Sequence, residues 1–303
     1  MGVVLILVVS AISFVLLALT PGNAAQALLG PQGTHQEYLA LRRQLGLNLP
    51  LYEQYWNWLR TAMAGNLGTS VISGASVGSQ ISSRLPVTLS LVIGSLLVSA
   101  IIGTGLGVIS SVRRGVVDRV LDAIGLVGFA VPSFWAGAVL IAIFAVDLKW
   151  LPATGYTPIS QSVSGWLESL VLPVLALSLG MIAVIAKQTR DTMLDVLASE
   201  HIKAAWASGL SPSTIYLKYG LKNAGMTVMT ITGVQAVGLL GGTVVVEAIF
   251  AMPGLGSLLV NATATHDLPV VQGVVVVFTA LIVAINLLID LTYAALNPRV
   301  RTV

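Results

Sequence analysis

Charge disappears from this chain in long blocks. Residues 2–19, 85–112, 123–146, 169–186, 223–246 and 268–289 contain no Asp, Glu, Lys or Arg, and apolar side chains dominate each block. The shortest has 18 residues, about 27 Å as an α-helix, close to the roughly 30 Å of a hydrocarbon layer. None of the blocks alternates as a barrel strand does, and lipid satisfies no open backbone group, so six membrane-spanning helices are predicted. Pro132 and Pro173 predict kinks in the third and fourth spans. The runs GTGLG (103–107) and GLLGG (238–242) predict close helix–helix approach.

The polar intervals are unequal. Between the first two spans, residues 47–63 have the pattern of an amphipathic helix, with Tyr52, Tyr55, Trp56 and Leu59 at helical spacing. Such a helix suits a membrane interface, and alternatively the docking of an external partner. The Gly/Ser-rich stretch 65–80 predicts a flexible loop, and MPGLGSLL (252–259) a short re-entrant or capping segment. The interval 187–226 holds a helix-forming run from Asp191 to Ala207 and a break at Gly209. Ser211 and Pro212 then give a start signal for a second short helix through Ile215, Tyr216, Leu217 and Tyr219. Two short helices bent at a glycine make a knob. The small side chains of Ala204 and Ala205 would let another protein's groove come close.

Composition sharpens this picture. Charged residues are 9% of the 303, and mean hydropathy is +0.92; soluble domains carry about 25% charged residues. The net charge of +3 is too small to suggest nucleic acid, and the chain has no cysteine for disulfides or thiolate chemistry. Arg113, Arg114, Arg119, Lys187, Arg190, Lys203, Lys218, Lys222, Arg299 and Arg301 fall on one side of the predicted topology, while the opposite short loops hold only Lys149. That bias predicts both termini and the interval 187–226 in the cytoplasm, with 21–85 outside. No basic residues precede the first span and TPGNAA gives no clear cleavage site, so the span reads as retained.

Chemistry is sparse. The phosphate-cradling GxxxxGK[ST] loop, HExxH and GxSxG are all absent, and the three histidines are far apart, so neither a nucleotide site nor a metal site is predicted. Glu247 and Asp290 lie near the ends of the fifth and sixth spans. Asn23, Gln235 and Asn261 are uncharged polar groups in or beside the apolar stretches, weighed as candidates for lining a pathway against plain packing or capping roles.

The knob resembles the coupling motif of ABC-importer permeases, EAA followed by three residues and glycine, here Lys203-Ala204-Ala205 and Gly209 with Leu210 and Ser211 behind it. Lys203 replaces the glutamate, Trp206 and Ser208 replace basic residues, and Thr227 stands where proline often follows. PGNAA (21–25), SRLPVTLSLVIGSLL (83–97), GFAVPSFWAG (128–137), LPATGY (151–156), VVVEAIFAMPGLGSLLVNA (244–262), DLPVVQGVV (267–275) and LTYAALNPRVR (291–301) are similar, in order, to the dipeptide/oligopeptide/nickel permease family. The resemblance implies a type I ABC importer permease fold, all-α with six spans and cytoplasmic coupling helices, as a single transmembrane domain over 1–303. It also implies a second homologous permease, two P-loop ATPase subunits carrying ATP and Mg, and an extracytoplasmic peptide-binding protein. The alternatives are an ion-coupled secondary transporter built on Glu247 and Asp290, and a non-transporting membrane scaffold.

Overall fold

The computed structural model describes residues 2–30, 33–113, 123, 125, 128 and 130–296. Arg114, Arg119, Arg299, Arg301 and the side chain of Asp290 lie outside the described set, as does most of the 291–301 motif's side-chain detail. Among described residues the chain is helical, with one isolated bridge between Thr69 and Ser76. The helices are α1 (Gly2–Leu19), α2 (Ala24–Leu29), α3 (His35–Gln44), α4 (Leu51–Met63), α5 (Val77–Val112) and α6 (Ser133–Leu140, continued by π-helical turns Ile141–Asp147). There follow α7 (Val163–Leu197), α8 (Glu200–Ala207), α9 (Lys222–Ile249, entered through π-helical turns Thr214–Leu221), α10 (Leu255–Ala264) and α11 (Leu268–Leu296). Among the described residues, five helices are long and apolar enough to cross a membrane: α1, α5, α7, α9 with its π-helical entry, and α11.

The third predicted span, 123–146, is described only in part. Its helical path is interrupted at Val131 and Pro132, and α6 restarts with Pro132 as its N-cap. Proline disfavours helical backbone at the residue before it, so the expected kink is a break. Pro173, in contrast, sits inside an α7 that stays helical around it.

Met1–Thr88 and Pro253–Val283 form one compact unit. Its core joins Leu17, Val77, Ile81, Leu255, Leu258 and Val274. Gly254 has no side chain to cap α10, and the Thr88 hydroxyl accepts from the Leu255 amide at 2.9 Å instead. The Gly/Ser-rich stretch is ordered, contrary to the flexible loop expected. Buried Asp267 accepts hydrogen bonds from the Ser70 hydroxyl and, at 3.1 Å, from the Val71 amide. The Thr69–Ser76 bridge closes the turn, and α5 begins at Val77, well ahead of residue 85. MPGLGSLL opens the short helix α10, Leu255–Ala264.

Helix α4 forms where expected, but a different face packs. Tyr55 meets α1 through the Ser10 hydroxyl at 2.9 Å and the Phe14 ring edge-to-face at 5.4 Å, and Trp58 is the buried aromatic. Tyr52 is 72% exposed and Trp56 points outward with it. The three-residue step from Tyr55 to Trp58 follows the face turned to α1.

Leu89–Met252 and Ala284–Val303 form the second unit. Here α5 and α7 pack through small residues four apart: Ser95, Ser99, Gly103 and Gly107. The Ser95 and Ser99 hydroxyls each reach an α7 carbonyl, those of Val174 and Ser178, at 3.5 Å. Ser178 returns a bond to the Ser95 carbonyl at 3.4 Å. A Cβ on Gly107 would lie 2.5 Å from the Ala186 carbonyl oxygen, and one on Gly103 2.9 Å from Ile185. Small residues thus let the two backbones approach, as the sequence pattern implies.

Gly107→Leu is expected to force α5 off α7 and cost about 1–3 kcal/mol, the scale of overpacking, seen as a lower Tm in detergent. Gly105→Ala, where a Cβ meets nothing within 4 Å, serves as the matched control and should melt like the parent. Asp267→Ala removes the acceptor of two hydrogen bonds, at about 1–3 kcal/mol for the groups left unpaired. The expected signature is faster limited proteolysis within 68–76, and unchanged cleavage there would refute the clamp.

Candidate functional site

The interval between α7 and α9 folds into a small structure of its own. Ser199 is extended (φ −71, ψ 153) and its hydroxyl donates back to the Val196 carbonyl. Serine competes for nearby backbone groups in this way, and the single helix expected over Asp191–Ala207 is therefore split between α7 and α8. Helix α8 ends in a Schellman motif: Gly209 N–H donates to the Trp206 carbonyl at 3.0 Å and Leu210 N–H to the Ala205 carbonyl at 3.3 Å. Gly209 has φ +76, a left-handed conformation that explains the glycine, since a Cβ there meets no neighbour. The Ser211 hydroxyl contacts Thr214 Oγ1 at 2.8 Å and accepts from the Thr214 amide at 3.4 Å, so the predicted start signal holds. The helix it starts is not a short separate one, because the π-helical turns run straight into α9.

Ile202 and Ile215 are fully buried against each other with Ala205, and Val196, Leu197 and Tyr219 pack around them. Ala205 thus faces inward, and its small size serves this cluster; only Ala204 of the pair is exposed. Trp206 meets the Tyr216 ring edge-to-face at 6.1 Å while remaining 43% exposed. Lys203 pairs with Glu200 at 2.7 Å across one helical turn, with both side chains largely in solvent. That pair is worth only about 0.2–0.5 kcal/mol. The exposed surface is therefore a small knob with Ala204, Trp206, Gly209, Leu210, Ser211 and Leu217 outward, flanked by cations. Trp206 and Leu217 were named in the sequence but not assigned to the gripping surface; large apolar side chains in a polar helical stretch were the available signal.

The three polar residues read as pathway candidates have different fates. Asn23 caps α2 by accepting from the Gln26 amide at 3.1 Å and donates to the Tyr38 hydroxyl at 2.9 Å. Asn261 is exposed on α10, and its carbonyl accepts from Thr265. Gln235 lines a cavity of about 230 Å³, with Ser133, Leu177, Gly180, Gly238 and Gly242 among its other walls. Glu247 is fully buried in the last turn of α9. Among the described residues no cluster of His, Cys, Asp or Glu is set to hold a metal.

These features coincide with known proteins. Residues 1–92 match a family described as binding-protein-dependent transport system membrane component, N-terminal. Residues 102–302 match the binding-protein-dependent transport system inner membrane component. The chain is 40% identical over 289 residues to the probable peptide ABC transporter permease protein y4tP of Sinorhizobium fredii, covering 95% of this chain and 92% of that one. It is 38% identical over 295 residues to the glutathione transport system permease protein GsiC of Escherichia coli, covering 97% and 94%. Among solved structures, the MetNI methionine ABC transporter in inward-facing conformations superposes with a TM-score of 0.59 at 20% identity, over 72% of this chain and 96% of that one. That similarity carries the type I importer permease fold and nothing finer. The ion-coupled and scaffold alternatives fall away. The chain belongs to the binding-protein-dependent transport system inner membrane component family: it is a membrane-embedded permease subunit of an ABC importer and not itself an enzyme, its ATP hydrolysis being the work of partner subunits.

Proposed function

We propose that the chain pairs with a second, homologous permease to enclose a pathway for di- and oligopeptides. Two P-loop ATPase subunits, which bind ATP and Mg, drive it, and an extracytoplasmic peptide-binding protein delivers the cargo. Residues 1–303 act as one permease domain, with both termini and the coupling loop 187–226 in the cytoplasm and 21–85 outside. The bias of Lys and Arg supports that orientation. Relatives named for peptide and for glutathione transport support the cargo, glutathione being itself a tripeptide.

The observation that carries the reading is the knob. With its own apolar centre at Ile202, Ala205 and Ile215 it resists deformation, and it presents Lys203, Ala204, Gly209, Leu210 and Ser211 as a surface for an ATPase groove. Closure of the ATPases on ATP pushes the knob, and α7 and α9, which both end in it, carry the push into the membrane. ATP shifts the equilibrium between inward- and outward-facing states only by its differential affinity for the two.

A tagged chain extracted in mild detergent is expected to bring down a second permease and P-loop ATPases, with hydrolysis stimulated by peptide-loaded binding protein. A chain that purifies alone from membranes containing those partners would sink the proposal. Gly209→Glu imposes about 1–2 kcal/mol of left-handed strain and a charge on the knob. It should insert normally yet lose peptide uptake, with Gly209→Asn milder, and normal uptake by the Glu variant counts against coupling through this site. Ala204→Arg should weaken ATPase co-purification at unchanged Tm, whereas Ala205→Arg, aimed into the cluster, should lower Tm first.

A further inference from the structure

The second unit carries a cavity with polar side chains in its wall. Its lining residues Leu177 and Gln235 stand at the middle of the apolar blocks 169–186 and 223–246, so the cavity lies at mid-depth of the α7 and α9 spans. Gln235 is half-buried there, and neither its amide nor the Ser133 hydroxyl hydrogen-bonds to another described residue. A polar group held at mid-membrane without a protein partner is costly and marks a path for something polar. The break at Pro132 is what opens this wall, because it sets Ser133 at the start of α6 beside α7 and α9.

The walls also carry a chemical signature. The described lining holds no Asp, Glu, Lys, Arg or His, so it offers no anchor to a charged side chain or to a peptide terminus. Glutamine presents both donor and acceptor in one plane, the complement of a peptide group, and serine adds a second donor–acceptor. Gly180, Gly238 and Gly242 flatten part of the remaining wall, and the rest is uncharged and apolar, from Val131, Ala176, Leu177, Met181 and Leu239, so no wall selects a charged side chain. At about 230 Å³ the cavity is below the roughly 300–1,000 Å³ of complete ligand pockets, which suits a subsite for one residue of a longer cargo. Neutral contacts also permit release, since a pathway must bind weakly enough to be left.

We infer that Gln235, assisted by Ser133, is a mid-membrane subsite that recognises the backbone amide of a passing peptide irrespective of its side chains. This rests on the peptide-import reading above. Two measurements on the complete reconstituted importer test it, and they fail separately. The chain has no cysteine, so Gln235→Cys and Val234→Cys each introduce a single thiol in this subunit, the second on an exposed apolar position of α9. Thiolates form readily only in wet surroundings, so an anionic methanethiosulfonate reagent should modify position 235 on the order of tenfold faster than 234. Equal rates would mean a lipid-filled cavity and overturn the subsite whatever the cargo is.

The second measurement is uptake of Ala-Ala-Ala, Ala-Glu-Ala and Ala-Lys-Ala by Gln235→Leu. Losing one neutral hydrogen bond should slow all three by the same factor, about tenfold at most, with Gln235→Asn recovering part of the rate. A loss confined to one charged peptide overturns amide recognition. A wild-type complex that imports none of the three overturns the peptide reading and the amide assignment with it, while the thiol rates still decide whether the cavity is wet.

Discussion

Hydrocarbon gives apolar side chains no reason to prefer one another over lipid, so membrane helices must be held by backbone approach and hydrogen bonds. In this chain the requirement is met most visibly between α5 and α7. Ser95, Ser99, Gly103 and Gly107 stand on one face, and α7 answers with carbonyls at Val174, Ser178 and Ala186. Each glycine replaced by a larger residue would meet backbone, which cannot yield as a flexible side chain can. This seam fixes α7, and α7 in turn carries one wall of the cavity and one foot of the knob.

Outside the hydrocarbon the same chain uses the opposite principle. The knob is small, faces water and closes on a hydrophobic cluster, Ile202 and Ile215 with Ala205 between them. There the apolar effect returns at about 25 cal/mol per Å² of buried surface. Local signals then have to carry the rest. The Schellman turn at Gly209 ends α8, the serine at 211 begins the next helix, and Met193 of α7 lies against Gly220, where a Cβ would sit 2.8 Å from its terminal methyl. That last contact ties the end of α7 to the π-helical entry of α9.

The two principles explain what the sequence disclosed and what it hid. Spans are legible because a charge-free block of 18 or more residues has few other homes, and all but the partly described third span appear as long apolar helices. The Gly103–Gly107 seam and the Gly209 break were legible for the same reason, since glycine at those places answers a backbone demand. What stayed hidden depends on distant partners. Nothing near Ser70 signals that Asp267 will seize it from 197 positions away. Nothing in the pattern of α4 says that Tyr55 will meet α1 and Trp58 be buried while Tyr52 and Trp56 stay exposed. Ala204 and Ala205 look equivalent in sequence, and only the return of Ile215 across the turn makes one of them core and the other surface. Asn23, Gln235 and Asn261 were likewise equivalent as polar residues until the caps and the cavity separated them.

The shared use of α7 and α9 links the knob to the cavity without any further element. Both helices border the cavity, at Gly180 and Gln235, and both enter the knob, at Leu197 and through Thr214–Leu221. A displacement of the knob would therefore reach two cavity walls directly. The π-helical entry Thr214–Leu221 carries Ile215 of the cluster and runs straight into α9, and i→i+5 turns recur where helices serve function. The seam with α5 holds α7 at Gly103 and Gly107, whereas a Cβ on Gly238 or Gly241 of α9 would meet nothing within 4 Å. Gln235 stands at the middle of α9, between the packing of Gly233 on Ile289 and of Gly242 on Leu177.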